Sequence, residues 1–84
     1  MKRQGGDMTP RTVKAIAREV SADWAKVSYA AAPYLDAMGD LNSVDDDYGY
    51  DSGRSVVRYF LSNASSYRGE TARKLKAELR GMVG

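Results

Sequence analysis

The sequence predicts an all-α fold: a small three- or four-helix bundle with an acidic central loop that contains glycine and tyrosine. Three observations predict it. Apolar residues recur at three- and four-residue steps in separate stretches, the period of a helix with one buried stripe. No stretch sustains the alternation expected of a half-buried strand. The connections between periodic stretches are short, which favours antiparallel helical neighbours.

The elements follow in chain order. Residues 1–8 read as a flexible tail, with Met8 an alternative start, and residues 9–84 as a single helical domain. Thr9-Pro10 reads as a helix opening, a hydroxyl at the cap followed by a proline whose missing N–H does no harm there. Val13, Ile16, Ala17, Val20, Trp24 and Val27 form the apolar stripe of a first helix running to Trp24 or Val27. Arg11, Lys14 and Arg18 fall on its opposite face. Around Pro33 the chain bends or starts a second helix, because proline disfavours helical geometry in the residue before it. Tyr34, Leu35, Met38 and Leu41 give this helix its apolar side, and Gly39 weakens its end.

Residues 42–53 are the least helical stretch and the main connection. Ser43, with Asp46 three residues on, suits the capping of a single turn. Asp51 or Ser52 caps a third helix holding Val56, Val57, Phe60, Leu61 and Ala64, with an end near Asn63. Residues 65–69 form a turn. Glu70-Thr71 then opens the last helix, with the acid where the helix dipole favours it. Ala72, Leu75, Leu79 and Met82 make its stripe, Arg73, Lys76 and Arg80 line another face, and Gly81 and Gly84 fray its end.

Charge is laid out in three blocks. Residues 1–26 carry six Lys/Arg and three acids (+3), residues 27–53 six Asp and no base (−6), and residues 54–84 seven bases and two acids (+5), which sum to the net +2. Cysteine and histidine are both absent. Disulfides, thiolate or imidazole zinc sites and Ser-His-Asp catalysis are thereby excluded, and a reducing, cytoplasmic setting is expected. No apolar run reaches ~18 residues, and the basic start lacks the apolar segment of a signal peptide.

The segments Tyr29-Ala30-Ala31-Ala32-Pro33-Tyr34-Leu35-Asp36-Ala37-Met38 and Tyr48-Gly49-Tyr50-Asp51-Ser52-Gly53 precede Val56-Val57-Arg58-Tyr59-Phe60-Leu61-Ser62-Asn63-Ala64 and Tyr67-Arg68-Gly69-Glu70. Together they resemble small proteins without assigned activity carried by bacteriophages and prophages, often of actinobacteria, over about residues 13–80. The resemblance implies a mobile-element origin and a non-enzymatic accessory role. It brings no functional residues with it.

Candidate sites are few. A calcium loop starting at Asp45 would need an oxygen ligand at its fifth position, glycine sixth and glutamate twelfth. Gly49, Tyr50 and Val56 stand there instead, so the acidic loop reads as solvated, as a docking surface for a basic partner or for the chain's own basic arms, or as a weak site for a hard cation such as Mg²⁺ or Ca²⁺. Tyr29, Tyr34, Tyr59 and Phe60 lie in apolar stretches and are expected in or around the core. Trp24 is expected to anchor it. Tyr48, Tyr50 and Tyr67 lie in connections, where a tyrosine serves either a recognition patch or a lid folded over the core. Carboxylates crowded on one loop, with no phosphate-cradling motif, give no catalytic constellation, and no cofactor or small-molecule substrate is expected.

The expected function is a small, non-enzymatic protein-interaction module. It would bind a partner protein, or a second copy of itself, through Asp46, Asp47, Tyr48, Tyr50 and Asp51, the acids steering the partner and the aromatics supplying buried area. The alternative is a helix-turn-helix-like nucleic-acid-binding regulator using Arg68, Arg73, Lys74, Lys76 and Arg80 of the last turn and helix.

Overall fold

The computed structural model describes residues 11–49 and 51–83, the side chain of Tyr48 excepted. The expected tail, the Thr9-Pro10 opening and the side chains of Tyr48 and Tyr50 lie outside the described residues. The described residues form four helices and one minimal β-ribbon: α1 (Val13–Asp23), α2 (Ala32–Met38), β1 (Asp47–Tyr48), β2 (Asp51–Ser52), α3 (Gly53–Ser62) and α4 (Glu70–Val83). The fold is mostly helical, as the periodicity predicts.

Helix α1 starts at Val13 because Thr12 caps it, its hydroxyl accepting the Ala15 N–H at 3.0 Å. Two more of its early N–H groups, on Val13 and Lys14, reach the carbonyls of Asn42 and Leu41. The chain leaving α2 thus satisfies donors that a helix start leaves open. Pro33 lies in the first turn of α2, where it removes no hydrogen bond, and Gly39 forms the C-cap. Ser52 caps α3 by accepting the Ser55 N–H at 3.1 Å, and Asn63 closes it.

Helix α4 does not fray at Gly81; it continues to Val83. Two arginines on adjacent turns of α3 hold its end. Arg54 donates to the Met82 carbonyl at 3.2 Å and Arg58 to the Val83 carbonyl at 3.1 Å. Two cations at a helix C-terminus meet open carbonyls and the negative end of the dipole together.

The four helices share one core. Val13, Ile16, Ala17 and Val20 of α1 meet Leu35, Ala37 and Met38 of α2, Val56, Val57 and Phe60 of α3, and Ala72, Leu75, Leu79 and Val83 of α4. Helix α1 packs on α2 and α4, and α3 on α2 and α4. No polar or charged side chain is buried among the described residues. Stability therefore rests on apolar area, at roughly 25 cal/mol per Å² removed from water.

The aromatic assignments change in both directions. Tyr67 is only 2% exposed and is the bulkiest fully buried side chain, so it closes over the core. Its ring stacks on Trp24 at 4.8 Å, and Trp24 in turn meets Phe60 edge-on at 6.3 Å. Trp24 is the expected anchor. Tyr29 and Tyr59, expected in or near the core, are 97% and 47% exposed. Tyr29 sits in the turn before α2, where no stripe fixes its direction. Tyr59 lies on the outer side of α3, partly covered by Tyr34 at 5.4 Å.

Candidate functional site: a basic cleft and an acidic ribbon

The two ends of the charge pattern become two separate surfaces. The acidic connection is more ordered than a solvated loop. Asp46 turns its carboxylate back to accept the N–H groups of Asn42 at 2.9 Å and Ser43 at 3.4 Å, while Ser43 Oγ accepts the Asp45 N–H at 3.0 Å. This is the single capped turn that Ser43 and Asp46 predict. The following residues pair antiparallel, Asp47 opposite Ser52 and Tyr48 opposite Asp51. Gly49, directly after β1, takes φ +63, a left-handed conformation that glycine adopts without strain. Sequence reasoning missed this ribbon because Asp and Ser are poor strand formers and each strand is two residues long.

The ribbon rests on Gly53. The Gly53 N–H donates to the Asp46 carbonyl at 2.6 Å, and a β-carbon at this position would stand 2.8–3.1 Å from the carbonyl oxygens of Asp46, Ser43 and Val44. Of the proposed acidic contact residues, Asp46 is thus committed to its own backbone, and Asp45 beside it pairs with Arg54 at 3.2 Å. Asp47 and Asp51 are exposed, with no ion-pair partner among the described residues.

The basic residues divide as well. Arg11, first of the N-terminal stripe, is taken up by Glu19 and by a two-pronged pair with Glu78 at 2.5 and 3.0 Å. That pair ties the lead-in of α1 to α4. Lys74 faces Glu70 one turn back at 3.7 Å. Arg68, Arg73, Lys76 and Arg80 instead gather around one cleft of about 380 Å³, which Ser65, Tyr67 and Gly69 complete. Among the described residues no carboxylate lines this cleft, and Arg68, Arg73 and Arg80 have no acidic partner.

The cleft forms because the chain must turn between α3 and α4 while keeping Tyr67 inside. Gly69 takes φ +119, which lets the turn swing into α4. Lys76, one turn into the helix from Arg73, reaches back and donates to the carbonyls of Ala64 at 2.9 Å and Tyr67 at 2.6 Å. Its Nζ stands 5.8 Å from the centre of the Tyr67 ring. Burial, and after it the charges of Arg80 and Arg68, lower the Lys76 pKa from its ordinary value. The positive groups of the cleft are close enough to oppose one another.

Sequence spacing places Arg73, Lys76 and Arg80 on one edge of α4, and the structure agrees. It does not reveal that Lys76 is anchored to the turn, since neither carbonyl belongs to a recognisable motif. The connection from α3 to α4 spans residues 63–69, seven residues where a helix-turn-helix uses about three or four.

Tyr67 carries a testable pH signature. Its hydroxyl donates to Asp23 at 2.8 Å, and burial together with that carboxylate raises its pKa above the ordinary value. The folded state then binds the phenolic proton more tightly than the unfolded chain does. This contribution to stability is complete below about pH 10 and is lost as pH rises beyond it. Lys76, with its lowered pKa, gives the opposite slope below its ordinary value. Tyr67→Phe is therefore expected to cost about 1–2 kcal/mol at neutral pH, with the deficit shrinking above pH 10. Urea titrations from pH 7 to 11 read both; a deficit independent of pH contradicts the assignment.

No helix among the described residues is long and apolar enough to cross a membrane, and no three carboxylates among them converge as a metal-ligand set. No protein-family model matches the chain, and neither a curated protein nor a solved structure does.

Proposed function

We propose that the protein is a small, non-enzymatic binding module whose basic cleft contacts nucleic acid. In this reading the four helices act as a compact bundle that presents the 65–69 turn and one edge of α4. The observation that carries it is the convergence of Arg68, Arg73, Lys76 and Arg80 on one concavity that no acid among the described residues lines. Like charges left together repel; the negative phosphates relieve that repulsion, and the counterions they release on binding favour it further. The long turn and the tethering of Lys76 speak against a helix-turn-helix, so the contact is to phosphate groups rather than to base edges in a major groove.

Fluorescence anisotropy with labelled single- and double-stranded oligonucleotides, titrated at several salt concentrations, tests this reading. Binding is expected to weaken steeply with salt. The double variant Arg73→Ala/Arg80→Ala is expected to lose about 100-fold in affinity, with the log–log salt slope flatter by about 1.5–2. Both residues are exposed, so the variant should fold normally. No binding to any oligonucleotide at micromolar protein and physiological salt would refute the reading.

A second reading places a partner protein, or a second copy of the chain, on the acidic ribbon. Asp47 and Asp51, exposed on the two strands of the ribbon and without an ion-pair partner among the described residues, favour it. Origin in a phage or prophage and an accessory role there are consistent with either reading.

A further inference from the structure

The cleft brings four cations to one open concavity, lined by Ser65, Tyr67, Arg68 and Gly69 of the turn and by Arg73, Lys76 and Arg80 of α4. A phosphodiester running along a surface offers one charge and two free oxygens to whatever it passes. A phosphate monoester offers close to two charges and three acceptor oxygens, which several donors reach at once from different sides. Four cations around one space suit the second geometry. The volume of about 380 Å³ exceeds what a phosphate alone fills and falls within the range of small-molecule sites, about 300–1,000 Å³. That leaves room for an attached sugar and base.

The acids on α4 do not compete for these cations. Glu70 faces Lys74, and Glu78 is held by Arg11. Lys76 is fixed before any ligand arrives, because two of its three N–H bonds already go to the Ala64 and Tyr67 carbonyls. A charge held in place in advance loses little freedom on binding. Arg68 and Arg80 lie near enough to disfavour its protonation, which marks a local excess of positive potential.

We propose that the cleft between the 65–69 turn and α4 binds a phosphate monoester of nucleotide size, held by Arg68, Arg73 and Arg80 above the fixed ammonium of Lys76. This rests on the nucleic-acid reading and sharpens it: the strand would be gripped at a terminal phosphate. A free mononucleotide offers the same chemistry.

Three probes separate the sources: a single-stranded oligonucleotide with a 5′-phosphate, the same strand with a 5′-hydroxyl, and a nucleoside 5′-monophosphate. Trp24 is the chain's one tryptophan and stacks on Tyr67, which lines the cleft, so a change in its emission is expected when the cleft fills. The phosphorylated strand is expected to bind about tenfold or more tightly than the hydroxyl strand, as one or two charge-assisted hydrogen bonds would give. That preference should disappear in Arg73→Ala and in Arg80→Ala, and the mononucleotide should compete. Equal affinity for both strands overturns the monoester site and leaves general nucleic-acid binding intact. Binding of the mononucleotide alone supports the site and removes nucleic acid as the partner. Binding of none of the three overturns both.

Discussion

Trp24→Ala is expected to destabilise the protein by about 3–5 kcal/mol, the range for removing a large aromatic side chain from a core. Trp24 joins two parts of the molecule that the sequence keeps far apart. It lies just past the end of α1, stacks on Tyr67 from the turn before α4, and meets Phe60 of α3 edge-on. Without the indole, the Tyr67 ring loses its stacking partner. The hydroxyl bond from Tyr67 to Asp23 and the seat of Lys76 on the Tyr67 carbonyl then lose their support as well. Domains of this size have about 5–10 kcal/mol in hand, so the variant should be markedly unfolded in mild denaturant. Urea unfolding followed by far-ultraviolet circular dichroism measures the loss. A cost below about 1 kcal/mol would mean that Trp24 is not the link between these helices.

Gly53→Ala is expected to cost about 2–3 kcal/mol although it adds one methyl group and improves helix propensity. The new β-carbon would meet three backbone oxygens, those of Asp46, Ser43 and Val44, at 2.8, 2.9 and 3.1 Å. Backbone cannot rotate away as a flexible side chain can. Relief requires the capped turn at 43–46 to lift off α3, breaking the bond from the Gly53 N–H to the Asp46 carbonyl. Gly81→Ala is the control. It too sits in a helix, on α4, but nothing lies within 4 Å of its added carbon, so a gain of up to about 1 kcal/mol is expected. Opposite signs for the same chemical change, read as shifts in urea midpoint, would establish that the acidic turn is packed against the helix. Two gains would contradict that.

Much of the fold was legible because its causes are local. Ser52 and Asn63 bound α3 where the capping residues say, and Glu70 opens α4. Most of the apolar stripes of α1, α3 and α4 are buried as their spacing requires, with Val27, Leu61 and Met82 only partly covered and Val83 rather than Met82 in the core. The misreadings arise where facing or turning is not set by the local pattern. Tyr67 reads as an ambiguous turn residue until Trp24, far upstream, is placed beneath its ring. Tyr29 and Tyr59 sit among apolar neighbours, yet composition alone does not say which way a tyrosine in a turn or on a helix flank faces. The 47–52 ribbon depends on Gly49 for its reversal and on Gly53 for its floor, not on strand-forming side chains.

The same division runs through the surface chemistry. The spacing of Arg73, Lys76 and Arg80 predicts a basic edge, and α4 provides it. Arg68 joins them only because the turn folds back over Tyr67. The N-terminal stripe looks equivalent in sequence, but Arg11 is drawn to Glu19 and Glu78, the latter a partner that periodicity does not identify. Fold thereby takes up Arg11 of the first pattern, while Arg73 and Arg80 of the second keep no acidic partner among the described residues.

The most direct test of the account is a charge-neutralisation comparison on one nucleic-acid probe at physiological salt. Arg73→Ala/Arg80→Ala is set against Asp47→Asn/Asp51→Asn, four exposed residues with no ion-pair partner among the described residues. The first pair of changes is expected to weaken binding about 100-fold, while the second leaves affinity unchanged or raises it a few-fold by removing negative charge. Loss of binding in the aspartate variant, with the arginine variant unaffected, would contradict the account.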